Sequence, residues 1–332
     1  GIPTFEDKVL QRAVVMALEP IFEEDFLDCS YGFRPRRSAH HAIRKLREGL
    51  WDMGGGYVID LDIRKYFDTI NHGQIQEIFR RRVRDGVLRR LVGKWLNAGV
   101  MEKRAIIHPE TGVPQGGVIS PMLSNIYLHE VLDSWFMHTV QPRLRGKSCM
   151  VRFADDAVLA FERKDDAERV MAVLPKRFAK YGLELHPEKT KLLCFKRPTV
   201  KGDGTKEPET FMFLGFTHFW ARSRKGYWVI KRKTAKERFS RFGKALSQWL
   251  RVIRHEPIRA QHETLCAKLR GHFQYYGITG NSGSLSRALL LAHRLWRKWL
   301  GRRSNKAHRN WEWFNKLLQK FPLPKPRVVH QC

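Results

Sequence analysis

The segment RFADDAVLAF, residues 152–161, places two adjacent aspartates, Asp155 and Asp156, between apolar runs. The runs SCMVRFA before them and AVLAF after them predict two strands that meet at the aspartates. Carboxylates at the tip of a buried hairpin are costly because like charges repel each other. A lone Asp-Asp pair is most often a turn or a helix cap, so this segment alone leaves metal binding as one of several interpretations.

A second acidic segment, VIDLDIRKYFDTINH at residues 58–72, carries Asp60 and Asp62 on the same side of a predicted strand. Asp62 lies nearest the C-terminal end of that strand. If this end lies beside the hairpin, Asp62 and Asp155 face each other and need a cation between them. Oxygen ligands suit Mg²⁺, and two such ions about 3.5–4 Å apart can clamp both oxygens of a phosphoryl transfer. We therefore interpret these aspartates as metal ligands.

The composition limits the class of protein. The chain has 332 residues, of which 42% are hydrophobic, so it can form one large domain or two ordinary ones. No apolar run approaches the roughly 18 residues of a membrane span, and no signal peptide is recognised. The 5 cysteines form no CxxC pair, so neither a zinc site nor a disulfide framework is predicted. The expected location is the reducing cytoplasm.

The positive charge is concentrated in the last third of the chain. The whole sequence has 62 Lys and Arg against 33 Asp and Glu. Residues 1–221 hold 35 and 29 of these, a net charge of +6, whereas residues 222–332 hold 27 and 4, a net charge of +23. Such an excess favours a nucleic-acid partner, and interleaved aromatic residues are typical of stacking on bases. The alternative is a solvated basic surface without a specific partner.

Periodicity and turn residues predict a mixture of helices and strands. Helices are predicted over residues 4–19, 38–50, 118–137, 164–182, 234–254, 257–276, 284–300 and 308–320, and as a pair over 71–98 broken at 85–86. Strands are predicted within 54–63 and 103–117, in the hairpin, and around 191–195, 212–219 and 227–231. The order indicates an α+β protein with a compositional boundary near residues 220–234.

Eight motifs resemble those of reverse transcriptases, in the form found in group II introns. FADD at 153–156 is similar to the family's Tyr/Phe-x-Asp-Asp box, and DIRKYFDTINH at 62–72 to its first palm motif. The others are GIPTFEDKVLQ (1–11), YGFRPRRSAHHAI (31–43), GVPQGGVISPMLSNIYL (112–128), GLELHPEKTKLL (182–193), FLGF (213–216) and LRGHFQYYG (269–277). They follow the family order over nearly the whole chain.

The resemblance implies a right-hand polymerase, an α+β fold with fingers, a palm built on an antiparallel sheet, and a helical thumb. The fingers would comprise residues 1–56, the palm with inserted fingers segments 57–231, and the basic thumb or maturase domain 232–332. The family's fingers begin upstream of GIPT, so we expect this chain to lack the start of the fingers. No Cys/His endonuclease module is recognised up to residue 332.

The resemblance also implies a metal site. Asp62 and Asp155 would be the principal ligands, helped by the carbonyl of Ile63. Asp156 would complete the catalytic aspartates in a supporting role. The cofactor would be two Mg²⁺ ions, with Mn²⁺ as a substitute.

Further residues are implied in substrate binding. Phe67 would lie under the sugar of the nucleotide and exclude a 2′-hydroxyl by a clash, although core packing is the alternative. Lys189 would donate a proton to pyrophosphate, although an ordinary surface lysine is the alternative. Gln115 and Arg34 would complete the nucleotide-binding set. Template and primer would contact Arg36, Arg37, Gly116, Gly117, Leu214, Gly215, Lys236 and Arg241.

The implied function is an RNA-directed DNA polymerase that extends a primer on an RNA template and binds intron RNA as a splicing maturase. Its partners would be an RNA template, a DNA primer, deoxynucleoside triphosphates and structured intron RNA, with no membrane. Two alternatives stay open. One is a domesticated CRISPR-associated or defence reverse transcriptase, and the other is an RNA-binding maturase with a vestigial polymerase site, against which the intact aspartates argue.

Overall fold

A computed structural model describes residues 3–98, 100–102, 105–107, 111–113, 116–198, 209–304 and 309–331 of the chain. The chain divides into two compact units, Gly1–Glu209 and Thr210–Cys332. Sequence composition placed its boundary later, near residues 220–234. The difference arises because three strands that follow Thr210 belong with the basic helices. The division into fingers, palm and thumb stays a prediction.

Several helices of the first unit begin where the sequence supplies a capping side chain. Thr4 accepts a hydrogen bond from the N–H of Asp7 at 3.3 Å, and Ser38 accepts one from His41 at 3.2 Å. These side chains satisfy N–H groups that a helix start leaves without partners. The helices are α1 (Phe5–Glu23), α2 (Ala39–Asp52), α3 (Tyr66–Thr69), α4 (His72–Arg82), α5 (Gly86–Leu96), α6 (Ser120–Leu128) and α7 (Lys164–Ala179).

An antiparallel sheet forms the centre of the first unit. Its strands are β1 (Tyr57–Leu61), β4 (Ser148–Phe153), β5 (Asp156–Phe161) and β6 (Lys191–Cys194), in the order β4-β5-β1-β6. A separate hairpin joins β2 (Val100–Glu102) to β3 (Ala105–Ile107). Helices α1, α4, α6 and α7 contribute to one core with the central strands. The predicted α+β class with an antiparallel sheet is confirmed.

The helix predicted over residues 118–137 changes its winding. It begins at Ser120 as an α-helix, with Pro121 in its first turn, as predicted. After Leu128 it continues as two π-helical stretches, His129–Ser134 and Phe136–Val140, and ends in the 3₁₀ turn Gln141–Arg143. Apolar periodicity predicts a helix here but does not distinguish these windings.

The second unit combines a three-stranded sheet with four helices. The sheet order is β7 (Phe211–Phe213), β8 (Phe216–Arg222), β9 (Trp228–Thr234). The helices are α8 (Lys236–Val252), α9 (Ile258–Tyr276), α10 (Ser282–Leu300) and α11 (Trp311–Lys320). Leu246 and Leu250 of α8 are buried, and Phe239, Phe242 and Trp249 pack against the same core. Within the described ranges, no helix has both the length and the apolarity that crossing a bilayer requires.

A buried histidine in β8 should make the protein sensitive to acid. Burial, and to a smaller degree the charge of Arg232, lowers the pKa of His218 to about 3. In the unfolded chain the imidazole takes up a proton near pH 6.5. Above pH 6.5 the imidazole is neutral in both the folded and the unfolded chain, so the free energy of unfolding is not reduced. As the pH falls toward 3, only the unfolded chain binds the proton, and the free energy of unfolding falls, by about 3 kcal/mol at pH 4.

We expect His218→Phe to flatten the pH dependence of the unfolding free energy between pH 4 and 7. The new ring can keep the stacking on Phe211, whose centroid lies 4.8 Å from that of His218. Urea unfolding at several pH values measures this slope. Replacement of the exposed His41 by glutamine is the control and should leave the slope unchanged. A His218→Phe protein with the wild-type slope would contradict the expectation.

Candidate active site

The two acidic motifs meet at one edge of the central sheet. The last pair between β1 and β5 is Leu61 with Ala157. Extending this antiparallel register by one residue brings Asp62 opposite Asp156. Asp155 occupies the turn that joins β4 to β5, since Phe153 pairs with Asp156 across it. The end of the first strand therefore lies beside the hairpin tip, which is the condition under which the sequence brings Asp62 to Asp155.

The carboxylates of this edge influence one another. Burial raises the pKa of Asp155, and the negative charge of Asp62 adds to the effect. Burial likewise raises the pKa of Asp60 to about 7, helped by the charges of Asp156 and Asp62. A cation between these groups would relieve the repulsion, which is the reason acidic clusters attract metal ions.

Backbone contacts fix the end of β1. Thr190 donates its hydroxyl to the Asp62 carbonyl at 3.2 Å, and the N–H of His186 donates to the same oxygen at 2.8 Å. The ammonium group of Lys189 lies 3.4 Å from Oδ2 of Asp62. The segment GLELHPEKTKLL therefore holds Asp62 in place and brings a positive charge to it. Ile63 is buried, directly after Asp62.

The acidic residues at this end of the sheet are Asp62, Asp155 and Asp156, with Asp60 further along β1. Among the described residues, no group of three or more His, Cys, Asp and Glu side chains is placed to hold a metal ion. Mg²⁺ usually takes only one or two carboxylates and completes its shell with water and phosphate oxygens. That Asp62, Asp155 and the carbonyl of Ile63 form such an oxygen shell stays a prediction.

Phe67, five residues after Asp62, is half-buried and packed against the core. Its ring meets that of Tyr66 edge to face, with centroids 5.3 Å apart. The Phe67 carbonyl accepts the N–H of Val113 at 2.7 Å, and the ring of His72 contacts the Gly112 carbonyl at 2.6 Å. These bonds bring the GVPQGG loop to the Phe67 segment. Gln115, two residues after Val113, lies outside the described residues.

Glycine is required where this loop approaches the Phe67 segment. Gly112 has a φ of 98°, and a Cβ there would lie 2.9 Å from the Phe67 carbonyl oxygen. Gly116 is exposed with a φ of 99°, and Gly117 is half-buried. Both stay candidates for template or primer contact.

Gln11 of α1 holds the end of this loop, a contact that the sequence did not predict. Gln11 is buried, and its side-chain oxygen accepts the N–H groups of Val118 at 2.7 Å and Ile119 at 3.3 Å. The motif GIPTFEDKVLQ thus fixes the start of α6. A polar residue on the apolar side of a predicted helix was the available signal.

The three arginines of the YGFRPRRS motif have different environments. Arg34 is buried, pairs with Glu23 at 2.9 Å and also donates to the carbonyls of three residues, Phe26, Leu27 and Ser30. The structure does not support the prediction that Arg34 contacts nucleotide, because the N–H groups of its guanidinium donate to Glu23 and to backbone carbonyls of the protein interior. Arg37 is half-buried and pairs with Asp28 at 2.6 Å. Arg36 is exposed and stays a candidate for template binding.

In the second unit, the FLGF and YYG motifs meet at one turn. Leu214 and Gly215 connect β7 to β8 with φ values of 49° and 79°. The Tyr275 hydroxyl donates to the Leu214 carbonyl at 2.9 Å. A Cβ on Gly215 would lie 3.1 Å from the Tyr276 hydroxyl. The aromatic pair therefore supports this turn and excludes larger residues from it.

The first turns of α8 bring positive charge to the same place. The N–H of Ala235 donates to the Gly215 carbonyl at 3.0 Å. Lys236, the next residue, is the first residue of α8. The charge of Arg241 acts on the Tyr276 hydroxyl and opposes the rise in its pKa that burial causes. Lys236 and Arg241 are both exposed. Both cations lie in the first two turns of α8, the helix that begins directly after this contact.

Several tryptophans of this unit are covered by the protein's own cations. Arg297 lies 4.4 Å from the ring centroid of Trp311, and Arg309 lies 4.4 Å from that of Trp313. Trp296 is fully buried and donates to Gln261 at 3.0 Å. These rings are therefore engaged in contacts within the unit.

The profile of one protein family matches this chain over residues 1–218 and is described as "Reverse transcriptase (RNA-dependent DNA polymerase)". The match includes Asp62, Asp155 and Asp156. The chain belongs to the reverse transcriptase family. A right-hand polymerase is the fold of that family, so the predicted fold class is confirmed.

The curated relatives of this reverse transcriptase include Protein YkfC of Escherichia coli, which is 37% identical over 289 residues, covering 76% of this chain and 71% of YkfC. Group II intron-encoded protein LtrA of Lactococcus lactis is 41% identical over 132 residues, covering 40% of this chain. That alignment spans 22% of LtrA. The predicted resemblance to group II intron-type reverse transcriptases and maturases is confirmed.

A solved structure of telomerase from Candida tropicalis with the TWJ fragment of telomeric RNA matches with a TM-score of 0.48 and 14% identity, covering 96% of this chain and 58% of that chain. A likeness of this size adds no argument to the family assignment.

Proposed function

We propose that this protein is an RNA-directed DNA polymerase that extends a primer on an RNA template. The observation that carries the proposal is the meeting of Asp62 and Asp155 at adjacent strand ends, within the matched reverse transcriptase segment. Two Mg²⁺ ions, when bound, would activate the attacking hydroxyl and stabilise charge on the transferred phosphoryl group. The Ile63 carbonyl would assist the two aspartates, with Asp156 beside them, and Mn²⁺ could substitute.

The other residues of this site would bind and orient the substrates. Phe67 would lie under the deoxyribose, supported by Tyr66 and by the bond from Val113. The ammonium group of Lys189 would donate a proton to pyrophosphate from its position 3.4 Å from Asp62. Gln115, Gly116 and Gly117 would approach nucleotide and template on the loop that follows Val113.

Primer extension tests this proposal directly. The full chain is incubated with a DNA primer annealed to an RNA template, the four deoxynucleoside triphosphates and Mg²⁺. We expect templated extension that is lost when Mg²⁺ is chelated and restored by Mn²⁺. A well-folded protein that binds the duplex but never extends the primer would favour an RNA-binding maturase with a vestigial polymerase site.

We propose that the second unit supplies most of the electrostatic affinity for the primer–template and for structured intron RNA. Residues 222–332 carry a net charge of +23, from 27 basic and 4 acidic residues. Lys236 and Arg241 extend this charge from the Leu214–Gly215 turn along α8. A maturase role would follow from RNA binding by the same surface, and CRISPR-associated or defence roles stay open as alternatives.

We expect Lys236→Glu with Arg241→Glu to weaken binding to every primer–template sequence. Each lost phosphate contact should reduce the slope of log K against log[salt] by about 0.7–0.9. Fluorescence anisotropy at several salt concentrations measures this slope. A matched comparison is Arg241→Glu against Arg251→Glu, an exposed arginine about 15 Å further along the same helix. Equal effects of the two single changes would contradict a local contact at Arg241.

A further inference from the structure

Beneath the aspartates, a fully buried arginine is paired with a fully buried aspartate. The side chains of Arg152, in β4, and Asp133, in the first π-helical stretch, are both 0% exposed. The Arg152 guanidinium donates from Nε to Oδ1 of Asp133 at 2.7 Å and from Nη2 to Oδ2. Such a buried pair adds little stability by itself, because desolvation offsets most of the attraction.

The remaining donors of Arg152 reach three other parts of the first unit. Nη1 donates to Oδ1 of Asn125 at 3.0 Å and to the carbonyl of Ala154 at 2.9 Å. Nη2 donates to the hydroxyl of Ser30 at 2.8 Å. One rigid guanidinium therefore connects α6, the YGFRPRRS region and the residue directly before Asp155.

The Ala154–Asp155 turn is one that needs support. Ala154 has a φ of 56°, which is unfavourable for a residue with a Cβ. Strained turns of this kind persist only where the surrounding structure holds them. The bond from Arg152 to the Ala154 carbonyl is such a restraint, and it acts one peptide unit from the Asp155 side chain.

Gly32 restrains the same turn by close packing. A Cβ on Gly32 would collide with the amide nitrogen of Ala154 and would lie 3.0 Å from the carbonyl carbon of Phe153. The Gly32 carbonyl accepts the side-chain amide of Asn125 at 2.6 Å. Asn125 thus contacts both restraints on the turn, Arg152 through its oxygen and Gly32 through its nitrogen.

We propose that Arg152 is a positioning residue for the polymerase reaction: with Asp133, Asn125 and Gly32 it fixes the Ala154–Asp155 turn and thereby the direction of the Asp155 carboxylate. The proposal rests on the proposed function. Arg152 does not touch substrate. It acts through the Ala154 carbonyl, and a displacement of about 1 Å at a reacting centre can cost about 10²-fold in rate.

Two variants disturb the turn by different routes. Arg152→Lys keeps a positive charge for Asp133 but loses the guanidinium fork that reaches Asn125 and Ala154. Gly32→Ala pushes against Ala154 and leaves the Arg152–Asp133 pair in place. Asp166→Asn is the control. Asp166 is 1% exposed and accepts the N–H groups of Arg145 and Gly146, near the opposite end of the β4–β5 hairpin.

Single-turnover primer extension gives the rate constant of nucleotide incorporation, the nucleotide concentration for half-maximal rate, and the active fraction from the amplitude. We expect both turn variants to lower the rate constant about 10²-fold, with little change in the half-maximal concentration. The Asp166→Asn protein should keep the wild-type rate constant. A fall in amplitude with an unchanged rate constant would show that Arg152 only supports the fold and would overturn the proposal.

Hydrogen exchange of the peptide 148–161 supplies a readout that does not depend on activity. The two turn variants should exchange faster in this peptide than the wild type and the Asp166→Asn control. Unchanged exchange in Arg152→Lys would overturn the proposal even if its activity were low. If the wild-type protein itself failed to extend a primer, the proposed function would fail, whereas the exchange data would still decide whether Arg152 holds the turn.

Discussion

Replacing Asp155 with asparagine should abolish primer extension and leave the fold at least as stable. Asp155 lies in the β4–β5 turn, and burial together with the charge of Asp62 raises its pKa. Removing one charge from this group relieves repulsion in the metal-free protein. It also removes a carboxylate ligand from the proposed metal site. The loss of transition-state stabilisation should amount to several kcal/mol, or at least about 10³-fold in rate.

Primer extension and thermal unfolding, measured on the same preparation, test both halves of this expectation. Glu184→Gln is a suitable control, because its exposed carboxylate, paired with Arg64 at 3.2 Å, lies on the neighbouring segment outside the acidic group. The control should extend primers at nearly the wild-type rate. Near wild-type extension by the Asp155→Asn protein would contradict a metal role for Asp155.

If the proposed polymerase function holds, replacing Phe67 with valine should allow the protein to incorporate ribonucleotides. A bulky ring at this position would exclude a 2′-hydroxyl by a steric clash, which valine would relieve. The ratio of ribonucleotide to deoxynucleotide kcat/KM should rise by about 10²-fold, equivalent to about 3 kcal/mol of lost discrimination. Deoxynucleotide incorporation should survive, because the carboxylates are untouched.

The alternative interpretation of Phe67 predicts a different result. The ring is only half-buried, yet it packs against the core and against Tyr66. If packing were its only role, valine would lower stability and leave the nucleotide ratio unchanged. A Tyr66→Phe variant is the control for the neighbourhood. It removes the hydroxyl that donates to the Ser124 carbonyl at 2.7 Å but keeps the ring beside Phe67.

The sequence was sufficient to locate the two strands that carry the aspartates because strand patterns act locally, whereas their pairing is a tertiary contact that the structure supplies. Alternation and turn residues located the hairpin around Asp155 and the strand before Asp62, and the pairing of β1 with β5 brought them together. The capping residues Thr4 and Ser38 marked helix starts for the same reason, since their hydrogen bonds reach only three residues along the chain.

Buried polar contacts between distant segments were not predictable in this way. Arg34 was expected to contact nucleotide because an arginine in a motif suggests a phosphate, whereas its partners are carbonyls and a glutamate of the interior. Arg152 and Asp133 are 19 residues apart, and periodicity gives no indication that they pair. Both cases depend on tertiary packing, which a pattern within one element does not contain.

The π-helical stretch His129–Ser134 makes the length of this part of the chain important. A π-helical turn closes with i→i+5 hydrogen bonds, so it contains more residues than an α-helical turn and changes the direction of the side chains that follow it. Deleting one residue between Leu128 and Asp133 would remove the extra residue of this wide turn and shift Asp133 relative to the α-helix before it. The aspartate would then leave its arginine partner. Variation in this segment should therefore consist of substitutions, with insertions and deletions confined to the surface loops.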